Sequence, residues 1–326
     1  MESHTEKIIR WSSEEGGNEY VSINELLEYL GNNLYYDYEP SFGPYPDYYS
    51  RLKSWIENVP DEKDQQILLK LAKRIFYVGR EEFGSLYRSA FNNHIVRWLA
   101  EQNIKFLDDP DSITKLKKAI ARCWFCPVTD SLRINQFYHI NQIKEAHHDY
   151  RPDWKSLKKF GDKEKIKKYI GDNKIEYLVL LEDFVGSATQ SWEPLVYASE
   201  LIDELKVLFV PLIICPLGIT KITDELKKKS NFSMRPVLTL SQDGFITKEA
   251  LTGEDKESKQ FRNLINDAAP FYQFKNDILK FGFEEMGCLI VMYTNTPTNS
   301  LPIIHYESEP TWSPLFKRHH RAKLWM

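Results

Sequence analysis

Two adjacent carboxylates, Glu182 and Asp183, stand directly after the apolar run Tyr177-Leu-Val-Leu-Leu181, and two apolar residues later comes Gly186-Ser-Ala-Thr-Gln190, opening a helical pattern. An apolar strand followed by acids puts those acids at a strand's carboxyl end, where open α/β sheets take their ligands. The small residues Gly186, Ser187 and Ala188 let the backbone wrap closely around a phosphate. Backbone N–H groups and the helix start supply positive potential, to which Ser187 and Thr189 add hydroxyls, with Gln190 ending the run. Two carboxylates beside such a seat suit the two hydroxyls of a ribose, or a Mg2+ ion held through water. An acid at a strand end can instead cap the next helix. The small-residue loop behind the pair favours the ligand reading.

The elements that must hold this segment are legible from periodicity. From about residue 115, short apolar runs alternate with helical stretches, the pattern of a parallel sheet built from strand-helix-strand units. Predicted strands are Cys123–Val128, Tyr177–Leu181, Val207–Cys215, Pro236–Leu240 and Cys288–Tyr293, with crossover helices over Ala188–Leu205 and Thr220–Lys229. The first hundred residues read as helical. Ser22-Ile-Asn-Glu25 has the form of a capping box, with Gly31 placed to stop the helix. Tyr35 to Pro46 reads as an irregular Tyr/Pro/Gly loop. Leu52, Trp55 and Ile56, then Ile67, Leu68, Leu71, Ala72, Ile75 and Phe76, then Phe83, Leu86, Tyr87, Ala90, Phe91, Ile95 and Trp98 recur at helical spacing. The reading is an α/β protein: a helical N-terminal region over 1–110 and an α/β domain with a parallel sheet over 111–326.

Composition bounds the class. A chain of 326 residues, 42% hydrophobic and 28% charged, can bury a core without disulfides or metals. The N-terminus lacks a signal-peptide pattern, and no run approaches the roughly 18 apolar residues that span a bilayer. These features predict a cytoplasmic protein with no membrane partner. Four cysteines make no disulfide framework, and a net charge of -4 gives no overall positive field for nucleic acid. Gly-x-Gly-x-x-Gly, Gly-x-x-x-x-Gly-Lys-Ser/Thr, His-Glu-x-x-His and Gly-x-Ser-x-Gly are all missing, which weighs against dehydrogenase, P-loop, zincin and hydrolase readings. Cys123-x-x-Cys126 with His139, His147 and His148 invites zinc, but the spacing between histidines is too long and Cys126 lies in an apolar strand, so core cysteines are predicted. Lys155–Lys168 is interrupted by Asp162 and Glu164 and reads as a solvated helix. The basic cluster Lys317-Arg-His-His-Arg321-Ala-Lys323 reads as a solvated terminus, with nucleic-acid phosphates as its functional alternative. Asn295 to Asn299, beside Pro297 and Pro302, reads as turn chemistry.

Glu-Asp-Phe-Val-Gly-Ser-Ala-Thr-Gln resembles the phosphoribosyl-pyrophosphate (PRPP) loop of phosphoribosyltransferases, and Lys280-Phe-Gly-Phe283 with the following strand resembles the segment that holds the base in purine-salvage members. A wider set is similar to the phosphoribosyltransferase-like family of bacterial conflict systems, the PRTase-CE type, whose members include retron effectors. It comprises Pro127-Val-Thr-Asp-Ser131, Phe137-Tyr-His139, Arg151-Pro-Asp-Trp154, the acid pair, Asn295-Thr-Pro-Thr-Asn-Ser-Leu-Pro302 and Trp312-Ser-Pro-Leu-Phe316, and spans about residues 45 to 321.

The resemblance implies a phosphoribosyltransferase-type sheet in which Glu182 and Asp183 hold ribose hydroxyls and Mg2+, Gly186 to Gln190 hold the 5′-phosphate, and Asn295 and Asn299 help bind substrate. It puts pyrophosphate toward Thr129-Asp-Ser-Leu-Arg133, where Asp130, Ser131 and a bidentate Arg133 would meet phosphate oxygens. The implied ligand is PRPP or a nucleotide. The implied role is a toxic, nucleotide-modifying effector of an antiphage retron, with a reverse transcriptase and its DNA or RNA product as partners and self-association left open. Two positions depart from the purine-salvage pattern: Gly186 replaces an acid that manages a proton on the base, and Ala188 replaces a frequent glycine, so it must avoid positive φ or accept strain. These departures support an alternative in which the loop senses a ribose phosphate without turnover. A third reading is a scaffold for the reverse transcriptase and its DNA.

Overall fold

Strands covered on both faces must be apolar without alternation, and the two longest in this chain hold such runs, Tyr177 to Leu181 and Val207 to Ile214. In a computed structural model, which describes residues 2–14, 16–41, 47–102, 110–143, 162–268, 280–308 and 310–319, seven strands form. They are β1 (Phe76–Val78), β2 (Cys123–Pro127), β3 (Tyr177–Val185), β4 (Lys206–Ile214), β5 (Phe232–Met234), β6 (Leu238–Thr239) and β7 (Ile290–Met292). A five-stranded sheet runs β2-β3-β4-β5, with β6 also on β4, and every pairing is parallel. On one face, Trp124, Leu178, Leu180, Val207 and Phe209 join a buried cluster with Ile166 and Ile170, Leu195 and Ala198, and Ile222 and Leu226. Those side chains come from the helices Lys163–Asp172, Thr189–Ser199 and Pro216–Leu226. The alternate residues face the other way, where Trp98 meets Tyr177 edge-on at 5.6 Å and Phe137 meets Phe125 at 5.7 Å.

The chain folds as two compact units, Met1–Arg80 with Gln242–Met326, and Glu81–Ser241. The helical stretch Arg80–Gln102, whose middle turn Ala90–Val96 winds as a π-helix, therefore belongs almost wholly with the sheet rather than with the helices before it. Its apolar face is completed by sheet residues such as Tyr177, a partnership that helical spacing cannot report. The other unit contains helices His4–Ser12, Glu19–Asn33, Tyr48–Ile56, Glu62–Lys73 and Lys256–Ala268, together with a two-stranded parallel sheet of β1 and β7.

Several local expectations change. Ser22 lies inside the helix Glu19–Asn33, whose N-cap is Asn18, so Ser22-Ile-Asn-Glu25 is not its capping box. Gly31 does not stop that helix. A Cβ there would lie 2.4 Å from Tyr48 Cδ1, and glycine is needed for the approach of that ring. Phe76, expected on a helix face, opens β1 after the helix ends at Lys73. The predicted strand at 288–293 joins β1 instead of the main sheet, with Phe76 opposite Ile290. Both errors have one cause: pairing between segments far apart in the chain leaves no local period.

Of the Lys-rich run, 162–168 is described, and there Asp162 caps the helix while Ile166 and Ile170 are buried. Residues 155–161, Phe42 to Pro46, Arg151 to Trp154, His147, His148 and 320–323 lie outside the described residues. Among the described residues, no helix is long and apolar enough to cross a membrane.

Candidate functional site at the carboxyl ends of β2 and β3

Parallel pairing places Pro127, the last residue of β2, opposite Leu181. β3 runs on, so Glu182 and Asp183 stand just beyond the end of β2 and beside the loop that leaves it. Successive strand residues point to opposite faces, yet both carboxylates are gathered by that loop. Thr129 donates its backbone N–H to Glu182 Oε2 at 2.7 Å and its hydroxyl to Oε1 at 2.5 Å. The Ser131 hydroxyl bridges the pair, 2.8 Å from Asp183 Oδ1 and 3.1 Å from Glu182 Oε1. The N–H of Phe184 donates to Asp183 Oδ1 at 2.8 Å.

Glu182 is 2% exposed and Asp183 3%. Burial, and then repulsion from Asp183, holds the Glu182 carboxyl well above the usual carboxylate range. Burial likewise raises Asp183. Two acids this close and this dry cannot both ionise without a compensating cation. The pair either keeps a proton or takes a metal. Its surroundings fit Mg2+: all four side chains that converge, Glu182, Asp183, Thr129 and Ser131, offer hard oxygens. No group of three or more His, Cys, Asp and Glu gathers among the described residues. Two carboxylates leave the remaining positions to water and ligand oxygens, as Mg2+ prefers.

The small-residue loop follows after Phe184 and Val185, which end β3. Gly186, Ser187 and Ala188 are buried, whereas Thr189 and Gln190 open the helix Thr189–Ser199 at the surface. Its N-cap residue, Ala188, has no polar side chain to cap it, and a helix start of this kind directs its first-turn N–H groups outward. Ala188 sits at its N-cap with φ 65° and ψ 8°, so the methyl is accommodated by left-handed backbone. This costs about 1 kcal/mol. Ala188→Gly is accordingly expected to leave stability unchanged or raise it by up to about 1 kcal/mol, while Ala188→Val lowers it; thermal melting of the two variants checks the sign.

Two contributors to the loop carry no motif. Gly218, inside the helix Pro216–Leu226, lies so close that a Cβ would sit 2.5 Å from Gly186 O. One turn on, Lys221 Nζ donates to Thr189 Oγ1 at 3.1 Å, while Ser187 Oγ donates to the same oxygen at 3.3 Å. A cation thus stands over the loop from the next crossover helix. The sequence signal was faint: a glycine held inside a helix, at a propensity cost of about 1 kcal/mol, marks a close approach.

Asp130, Arg133 and the turn Ile134-Asn-Gln136 line an open cleft next along the β2 loop. Arg133 is exposed at the start of the helix Ile134–Ile140, and its carbonyl accepts the Gln136 N–H at 3.0 Å. Asn295 and Asn299 belong to the other unit. There the Asn295 amide donates to His319 O at 2.9 Å, and Asn299 donates to Phe283 O at 3.2 Å. Gly282, at φ 79°, carries the Lys280–Phe283 segment against the same loop: a Cβ would be 2.7 Å from Asn299 O. The four cysteines are buried thiols outside any disulfide, with Cys123 and Cys126 in β2, and His139 is exposed.

The family model described as PRTase-CE matches residues 52–318. No curated protein and no solved structure matches the chain.

Proposed function

The chain belongs to the PRTase-CE family and is phosphoribosyltransferase-like, and from that premise we propose that the carboxyl ends of β2 and β3 bind a ribose 5-phosphate, as PRPP or a nucleotide, with Mg2+. The observation that carries this reading is the acid pair followed, five residues on, by a helix start whose N-cap is Ala188 and over which Lys221 stands. Glu182 and Asp183 would meet the ribose hydroxyls and hold Mg2+; the first-turn N–H groups, Thr189 and Lys221 would meet the 5′-phosphate. Arg133, Asp130 and Ser131 would face pyrophosphate. The ion would supply countercharge for a departing pyrophosphate. In phosphoribosyl transfer, charge develops on the ribose as pyrophosphate leaves, so electrostatic placement does most of the work and no protein nucleophile is needed.

In this reading the protein is a glycosyl-transferring effector of an antiphage retron, acting in the cytoplasm beside a reverse transcriptase and its product, and toxic through modification of nucleotides. Incubation of the protein with PRPP, Mg2+ and cellular nucleotides, with and without the reverse transcriptase and its DNA, tests it directly. Pyrophosphate release that depends on Glu182 and Asp183 is the expected result; no turnover in any mixture would sink the enzyme. The left-handed Ala188 and the absence of an acid at Gly186 favour one second reading, a sensor that binds the same ligand without turnover. Calorimetric binding of PRPP alongside full cellular activity and no turnover would select it.

A further inference from the structure

Single apolar side chains in water are ordinary, whereas apolar rows rimmed by charge mark interaction surfaces. In the helix Glu19–Asn33, Leu26 and Tyr29 are 40% and 63% exposed. They stand three residues apart and so form one row on the helix surface. Glu25 and Glu28, also three apart and exposed, form the row beside it. Neither glutamate enters an ion pair among the described residues, and the helix contains no basic residue.

The helix Ser112–Ala121 carries the opposite charge on a similar surface. Its only buried residue is Ala119. Ile113 is 70% exposed, and Leu116 and Ile120, three and seven residues on, continue its row half-buried. Lys117 and Lys118 are exposed beside that row and enter no ion pair among the described residues. No acid occurs in this helix. The two helices belong to different units, the first to Met1–Arg80 with Gln242–Met326 and the second to Glu81–Ser241.

We propose that the chain self-associates through these surfaces, the helix Glu19–Asn33 of one copy lying against the helix Ser112–Ala121 of the next. Apolar rows suit each other, and acids without cations suit lysines without acids, so each surface supplies what the other lacks. The order of the rows also agrees. At about 100° per residue, with the two helices set parallel, apolar row meets apolar row while Glu25 and Glu28 meet Lys117 and Lys118. Because the two surfaces differ, the contact is head-to-tail and continues from copy to copy until a ring closes or a chain extends. One helix face on another lies at the low end of interface sizes, below about 1,200 Å², where complexes are transient. The association is therefore concentration-dependent, and it uses neither Glu182 nor Asp183.

Sedimentation velocity of the full chain from about 5 to 200 µM tests this, a range that brackets a weak dissociation constant. Mean mass is expected to rise with concentration, and association to weaken at least about tenfold between roughly 0.05 and 0.5 M salt. Glu25→Lys/Glu28→Lys and Lys117→Glu/Lys118→Glu should each be monomeric. Mixed in equal amounts they should associate again, since each then offers the surface that the other has lost. That step also separates contact between copies from a fold-back within one chain. Ile113→Ser should weaken association in the parent. All of these positions are exposed, so melting should match the parent in every variant. A monomer at every concentration, association untouched by either double reversal, or no association on mixing would overturn the assignment. So would a chain that stays monomeric and instead binds vesicles of anionic lipid through Lys117 and Lys118.

Discussion

Replacing Glu182 with Gln and Asp183 with Asn is expected to cut PRPP-dependent pyrophosphate release by at least about 100-fold and yet raise Tm near pH 8 by roughly 2–4 °C. The two effects share one cause. Both carboxyls are raised by burial, Glu182 also by its neighbour, so the folded protein holds protons that the unfolded chain releases. A group raised on folding contributes stability that is fully present below its unfolded value and is lost as pH rises through the folded one. In this pair the loss falls above the ordinary carboxylate range, where the amides carry no charge to desolvate. Each amide still offers an oxygen to the donors at Thr129 and Ser131. Melting followed from about pH 5 to 9 should show the difference widening with pH, and Mg2+ with PRPP should stabilise the parent but not the variant. A double variant that melts lower at every pH would contradict the account of the pair.

Gly218→Ala is expected to lower stability by about 1–3 kcal/mol and to weaken PRPP binding by at least about tenfold. The added methyl would meet Gly186 O at 2.5 Å, Val185 Cγ1 at 3.2 Å and Ile214 Cγ1 at 3.3 Å. The nearest of these is backbone, so either the loop or the helix bearing Lys221 must shift. Lys221 and Thr189 would then lose their 3.1 Å contact. Gly171→Ala is the control. That glycine also lies in a helix, but an added Cβ meets nothing within 4 Å, so the change should be neutral or slightly stabilising. Melting curves and calorimetry of the two variants separate a close approach from a general intolerance of helix substitution. Equal behaviour of the two would show that Gly218 holds nothing at the loop.

The main sheet was largely legible because apolar runs without alternation are a local consequence of burial on both faces. Tyr177–Leu181 was read correctly as a strand, but β3 continues through the acids to Val185. Charge masked the continuation, since Glu182 and Asp183 break the apolar run although both are buried. The short strands β5 and β1 were missed for a different reason. Phe232–Met234 is half-buried and gains its pairing from β4, and Phe76–Val78 from β7.

At the site, sequence order alone determined that two acids precede a small-residue turn into a helix, because a strand end, its loop and the next helix start are covalently consecutive. It also carried the dilemma at Ala188, whose methyl had to avoid or accept positive φ. Only the tertiary structure decided that it accepts, at 65°. Only parallel pairing of β2 with β3 brought Thr129 and Ser131 onto the carboxylates, and only helix packing brought Gly218 and Lys221 to the loop. The close packing of the Tyr48 ring on Gly31, from another helix, is likewise a tertiary fact. Chain order is written in the sequence; what lies across from it depends on register and packing, which short-range periodicity does not encode.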